Sequence, residues 1–137
     1  LNTPSLLGCE ENFEIMPPQE HDSKLSFQVL CNGTPIAYAR LKKEEADQRY
    51  ENRVVQIFSA RRAPTYCLKM IQVSQNYRNQ GIGALLMQEV IHYCRHHNIF
   101  RIVGEMQGEI PALQRWYKAN GFTVHADRSI EMLLPGL

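Results

Sequence analysis

The feature that most constrains this chain is a single change of hydrophobic period across the run Arg78-Asn79-Gln80-Gly81-Ile82-Gly83-Ala84. Before it, Thr65 to Val73 is rich in β-branched and aromatic residues and has the extended pattern of a strand. After it, apolar side chains recur at Ile82, Leu85, Leu86, Val90, Tyr93 and Cys94, with Met87 and Ile91 widening the stripe, which is helical spacing. The joint itself has the composition of an anion cradle. Gly81 and Gly83 let backbone approach a ligand with no β-carbon in the way, and the helix that follows offers unpaired first-turn N–H groups and the positive end of its dipole. Arg78 adds a full charge. By itself R-x-x-G-x-G is weak, because glycines at a strand-to-helix joint are just as often only geometric.

The flanking sequence predicts the rest of the domain. Leu25, Phe27, Val29 and Cys31 alternate with Ser26 and Gln28, so Leu25 to Cys31 is a half-buried strand. Asn32-Gly33 tolerates positive φ, and Ile36 to Leu41 resumes the pattern, so a hairpin follows. Lys42 to Asn52 is charged and without period, as in an exposed loop. Val54 to Ala60 is predicted as a further strand, joined to Thr65–Val73 through a turn at Arg61-Arg62-Ala63-Pro64. Asn98 ends the long helix and Ile99 to Glu105 is a strand. Pro111 opens a second helix with Leu113, Trp116 and Tyr117 on its buried face, and Asn120-Gly121 stops it. Phe122–Val124 and Ile130–Leu134 form a final strand pair around Ala126-Asp127-Arg128. The sum is an α+β fold with a mixed, mostly antiparallel sheet flanked by helices.

With 137 residues, 44% of them hydrophobic, the chain is expected to form one domain over residues 1–137, of which residues 1–24 are an irregular N-terminal segment. A net charge of +1 gives no long-range attraction for nucleic acid or an anionic membrane, so phosphate recognition must be local. Cys9, Cys31, Cys67 and Cys94 have no C-x-x-C spacing; they are expected as reduced thiols in a cytoplasmic protein, with neither a zinc site nor a redox dithiol. No apolar run approaches the roughly 18 residues of a membrane span. Cys94, His96 and His97 crowd the end of the long helix, where polar and cationic groups suit the negative dipole end better than they suggest a metal. No metal is expected.

Two motifs, taken jointly, carry a resemblance. Val73-Ser74-Gln75-Asn76-Tyr77-Arg78-Asn79-Gln80-Gly81-Ile82-Gly83 resembles V-x-P-x-x-R-x-x-G-x-G, with Gln75 in place of proline. Downstream, Tyr117, Gly121 and Phe122 match N-x-x-A-x-x-x-Y-x-x-x-G-F, with Ile110 and Leu113 in place of Asn and Ala. These are motifs of the GNAT superfamily of acetyl-CoA-dependent N-acetyltransferases, and the resemblance spans residues 66 to 134. It implies that the backbone of Arg78, Asn79, Gln80, Gly81, Ile82, Gly83 and Ala84 seats the pyrophosphate of acetyl-CoA. It also implies that Ile71 and Val73 pair with the pantetheine arm, and that a backbone N–H near Val73 faces the thioester oxygen.

Acetyl transfer to a primary amine, by direct attack through a tetrahedral intermediate, sets three demands. The amine, with an ordinary pKa of about 10, must lose a proton; the thioester oxygen needs a donor as it gains charge; the departing thiolate needs a proton. The resemblance gives the last role to Tyr117, which on sequence alone is equally a half-buried aromatic with its hydroxyl on a backbone partner. The strand Thr65–Val73 offers only Tyr66, Cys67 and Lys69 as polar candidates for the base, and no carboxylate. Glu105, twelve residues before Tyr117, matches a glutamate that some members of the family place on that strand. Glu109 or a water relay as the base, with Glu105 merely solvated or paired with Arg101 or Arg115, are the alternatives.

The family's two N-terminal helices cannot fit between a strand at Phe13–Met16 and the strand at Leu25, so the helix pair is expected to be missing or shortened. Either the chain, which begins at Leu1 rather than Met, is the C-terminal part of a longer protein, or the acceptor side is open or completed by a second subunit, as in a homodimer. The acceptor is then a small-molecule amine or a protein or peptide amine. The rival expectation is a GNAT-like module that binds coenzyme A, or a partner, without turnover. A dinucleotide-binding fold is disfavoured because no parallel β-α-β series precedes the glycines.

Overall fold

Alternation along Lys24–Cys31 decides which way the sheet faces: Leu25, Phe27, Val29 and Cys31 are buried while Lys24 and Gln28 are exposed. The structure, a computed structural model, describes residues 13–44, 64–107 and 111–134. Its strands are β1 (Phe13–Ile15), β2 (Gln19–His21), β3 (Lys24–Cys31), β4 (Thr34–Lys43), β5 (Thr65–Val73), β6 (Arg101–Glu105), β7 (Thr123–Val124) and β8 (Ser129–Leu133). The helices among the described residues are α1 (Ile82–His96) and α2 (Pro111–Ala119). The sheet order is β1-β3-β4-β5-β6-β8-β7, with β2 also paired to β3. All pairings are antiparallel except β5 with β6. The expected α+β architecture is therefore present. The strand expected at Val54–Ala60, the turn residues Arg61 to Ala63 and the loop beyond Glu44 lie outside the described residues.

One sheet face carries the core. Leu25, Phe27 and Val29 of β3, Ala39 and Leu41 of β4, Tyr66 and Leu68 of β5, and Ile102 of β6 pack under Ile82, Leu86, Met87, Val90 and Cys94 of α1. Removing this surface from water is the main drive for the sheet and helix to meet. The other face carries Gln28, Arg40, Lys42, Lys69 and Glu105, all exposed. Cys94 sits wholly in the core, and burial pushes its thiol up to about 12. It therefore stays protonated, and it does not share a face with the exposed His96 and His97. His97 instead stacks on Tyr93 with ring centres 3.8 Å apart and its Nδ1 lies 2.8 Å from the Tyr93 carbonyl, closing the helix end.

Residues 13–24, in a segment expected to be irregular apart from a strand at Phe13–Met16, supply two short strands. β1 and β2 run along successive parts of β3, and the chain leaves the ladder between them at Pro17-Pro18, which have no N–H to donate. Asp22 and Ser23, both at positive φ (53° and 63°), turn β2 directly into β3. Among the described residues 13–24 no helix is present. Glu20 of β2 clips the edge to the core, accepting from the Tyr93 hydroxyl at 3.5 Å and from Tyr66. Burial, and then the Glu20 charge, hold both phenols above their ordinary pKa, so both remain donors.

Gly104 fixes how closely β5 and β6 approach. A Cβ there would lie 3.2 Å from the Leu68 carbonyl oxygen and 3.3 Å from Ile130. Backbone cannot yield as a flexible side chain does, so Gly104→Val is expected to destabilise the fold by about 1–3 kcal/mol, read from the urea midpoint.

Candidate active site

The parallel pairing of β5 and β6 is short. It runs from Thr65↔Arg101 to Leu68↔Gly104 and stops, so Lys69–Val73 leaves β6 and a fork opens between the strands. The β6 side of this last stretch of β5 meets no other strand among the described residues. Unpaired backbone at a sheet edge is a template for an extended ligand with amide groups of its own. Ile71 and Val73, the two residues expected to hold such an arm, lie on this stretch and turn their side chains to the core face.

A bulge at the mouth of the fork sets which side chains face which way. On β4, Arg40 is opposite Met70 and Leu41 is opposite Leu68, so Lys69 is the extra residue. Opposed residues share a sheet face. Met70 therefore lies with exposed Arg40, and Lys69 keeps the face of Cys67, so two consecutive side chains project from the polar face. Beyond the bulge Ile71 and Val73 are opposite the buried Ala39 and Ala37. A register reading from sequence alone misses this shift.

The glycine run turns the chain from the end of β5 into α1. A 3-10 turn at Gln75–Tyr77 is followed by Asn79 at φ 63° and Gly81 at φ 83°, and Gly81 is the N-cap. The Leu85 N–H bonds to the Gly81 carbonyl at 3.0 Å, which leaves the N–H groups of Ile82, Gly83 and Ala84 without an intrahelical acceptor. No side chain caps this start and no acidic residue stands in its first turn. The Ile82 side chain is buried in the core, so only its backbone can serve a ligand. At Gly83 a Cβ would lie 3.3 Å from the Trp116 ring and 3.6 Å from Val73, so α1 begins in close contact with both α2 and β5.

Two side chains are tied to the backbone of this turn. Arg78 is not a freely swinging cation: its Nε donates to the Val73 carbonyl at 2.9 Å, tying the loop to the end of β5. Its charge is thereby held beside the helix start. Gln80 donates from Nε2 to the Asn76 carbonyl at 3.4 Å, while its Oε1 is buried without a hydrogen-bond partner. A phosphate-bearing ligand with amide donors in its tail fits this set of groups.

Tyr117 is buried on α2, edge-on to Trp116 and Phe122 with ring centres 5.1 and 5.5 Å away. Its hydroxyl has no hydrogen-bond partner among the described residues. Burial raises its pKa, which keeps the proton on the oxygen. Glu105 is the first residue of β6 past the last β5 pairing and is exposed on the polar face. Its charge bears on the Cys67 thiol, as do those of Lys69 and Glu44, so these groups gather where the fork opens. Arg101 pairs with Glu131 at 3.2 Å, leaving Glu105 outside that ion pair. Glu109 lies outside the described residues. The fork, not an enclosed hole, is the candidate site. A cavity of about 120 Å³ across β3 and β4 is lined by no residue of β5 or α1, and is small beside a nucleotide-bearing ligand.

The sequence matches the family model for the acetyltransferase (GNAT) family over residues 5–122. The chain belongs to the GNAT acetyltransferase family. Solved structures share its fold. A GNAT-family protein of Desulfovibrio desulfuricans aligns at 17% identity and TM-score 0.65, covering 82% of this chain and 70% of that one. The PaiA N-acetyltransferase of Thermoplasma acidophilum, solved with coenzyme A, aligns at 17% identity and TM-score 0.61 over 81% of this chain and 61% of that one. The ribosomal-protein-S18-alanine N-acetyltransferase of Escherichia coli gives 20% identity and TM-score 0.59 over 86% and 73%. No curated protein sequence matches this GNAT chain. None of its described helices is long and apolar enough to cross a membrane.

Proposed function

We propose that this GNAT domain transfers an acetyl group from acetyl-CoA to a primary amine, on a small molecule or on a protein or peptide. The observation that carries the reading is the uncapped, glycine-lined start of α1 set at the end of an unpaired strand edge. A bound acetyl-CoA supplies an activated thioester. Ile82, Gly83 and Ala84 N–H groups and the tethered Arg78 meet its phosphates, with Asn79, Gln80 and Gly81 shaping the approach. Ile71 and Val73 align its extended arm along β5. An N–H of this strand end serves the oxygen that gains charge during attack. Glu105 takes the proton from the amine, and the Tyr117 hydroxyl protonates the sulfur that departs.

A panel of small amines, polyamines and peptides, each mixed with protein and acetyl-CoA, tests the reading through release of free thiol. At least one acceptor class should exceed the hydrolysis background. Binding of acetyl-CoA with no thiol released by any acceptor would instead assign a binding module. With an active acceptor, Glu105→Gln separates the base from its alternatives. The basic-side rise of the rate with pH should flatten in the variant, and a rise identical to wild type would place the base elsewhere.

A further inference from the structure

The bulge at Lys69 has a chemical consequence. It is the first β5 residue past the last pairing with β6, it is exposed, and it shares the polar face with Glu105 and Cys67. Its ammonium group lies beside the Cys67 thiol, on which the Glu105 and Glu44 carboxylates also bear. A primary amine is thus built into the mouth of the fork, beside the carboxylate assigned to remove an acceptor's proton. We propose that Lys69 is itself an acetyl acceptor, modified by the donor bound in its own fork; this rests on the acetyl-transfer reading above. An amine held next to a bound thioester reacts without the cost of a bimolecular encounter, so even imperfect alignment raises its rate far above that of a lysine on the open surface.

The step balances within the groups named. Lys69 Nζ gives one proton to Glu105 and bonds to the carbonyl carbon. The carbon–sulfur bond breaks, and the sulfur leaves as a thiol with the Tyr117 proton. Nζ loses its remaining extra proton as the amide forms, and Tyr117 recovers one from water. The products are acetyl-Lys69, free coenzyme A and one proton released to solvent. Acetylation also removes the cation from the polar side of the fork, which leaves Glu105 and Glu44 to set the local charge there.

The chain makes the test simple, because it has five lysines in all: Lys24, Lys42, Lys43, Lys69 and Lys118. The intact protein is incubated with acetyl-CoA and no added amine, and acetylation at every lysine is followed over time by peptide mass spectrometry. Lys69 should be acetylated at least roughly tenfold faster than exposed Lys24 and Lys118, at a rate independent of protein concentration. Lys69→Arg, which keeps the charge and the bulge, should abolish the acceptor-free thiol release above hydrolysis. Acetylation of Lys69 no faster than of Lys24, or a rate rising in proportion to protein concentration, would overturn the proposal. If the amine panel releases thiol while Lys69 stays unmodified, self-acetylation is wrong and acetyl transfer stands. If acetyl-CoA does not bind at all, both fall.

Discussion

Tyr117→Phe is expected to lower turnover by about a hundredfold while leaving acetyl-CoA affinity within roughly threefold of wild type. The residue sits under Trp116 and Phe122, and the substitution removes only a hydroxyl that has no hydrogen-bond partner among the described residues. Packing is therefore kept and no polar group is orphaned, so stability should change little. What is lost is a proton that burial holds on the oxygen, the one proposed to reach the departing sulfur. Pre-steady-state thiol release and equilibrium binding, measured on the same preparation, check the two halves of the expectation. An unchanged rate would remove Tyr117 as the acid and leave it a core aromatic.

The opposite pattern is expected of Gly83→Trp. Even a β-carbon at residue 83 approaches Trp116 to 3.3 Å, and a second indole cannot be accommodated without displacing that ring or filling the space before the α1 N–H groups. Acetyl-CoA affinity should fall by at least about a hundredfold, consistent with loss of several charge-assisted hydrogen bonds at once. Calorimetric titration with acetyl-CoA reads the loss, and circular dichroism shows whether the helix has survived. Wild-type affinity in a folded variant would move the phosphate seat away from the start of α1. On the proposed function the two substitutions divide the site, with residue 117 expected to act on chemistry and residue 83 on donor binding.

Much of this was legible before any coordinates. Alternation at Leu25 to Cys31, the Asn32-Gly33 turn, the end of α1 at Asn98 and the entry of α2 at Pro111 all depend on local backbone chemistry, and each lies where the pattern places it. The same holds for the glycine run, because positive φ at Gly81 and bare space at Gly83 are demands that few residues meet. Other features depended on partners distant in sequence. Tyr66 and Lys69 looked equivalent as polar residues of one strand, yet Tyr66 is buried beneath Glu20 while Lys69 projects from a bulge. That the Arg78 Nε donates to the Val73 carbonyl is likewise not visible in the sequence, which shows only its charge. β2, at Gln19–His21, is not legible in the sequence because a three-residue strand has too few positions to show a period.

The sequence alone determined the kind of fold and the glycine-rich start of α1, since hydrophobic period, turn residues and such a helix start are local properties of a chain. Only the tertiary structure decided that β5 and β6 part after Leu68 and Gly104, and that Lys69, Cys67 and Glu105 gather where they do. The reason is geometric. A fork between parallel strands is set by a register across more than thirty residues and by one carbonyl packed against one glycine, and neither leaves a period in the sequence.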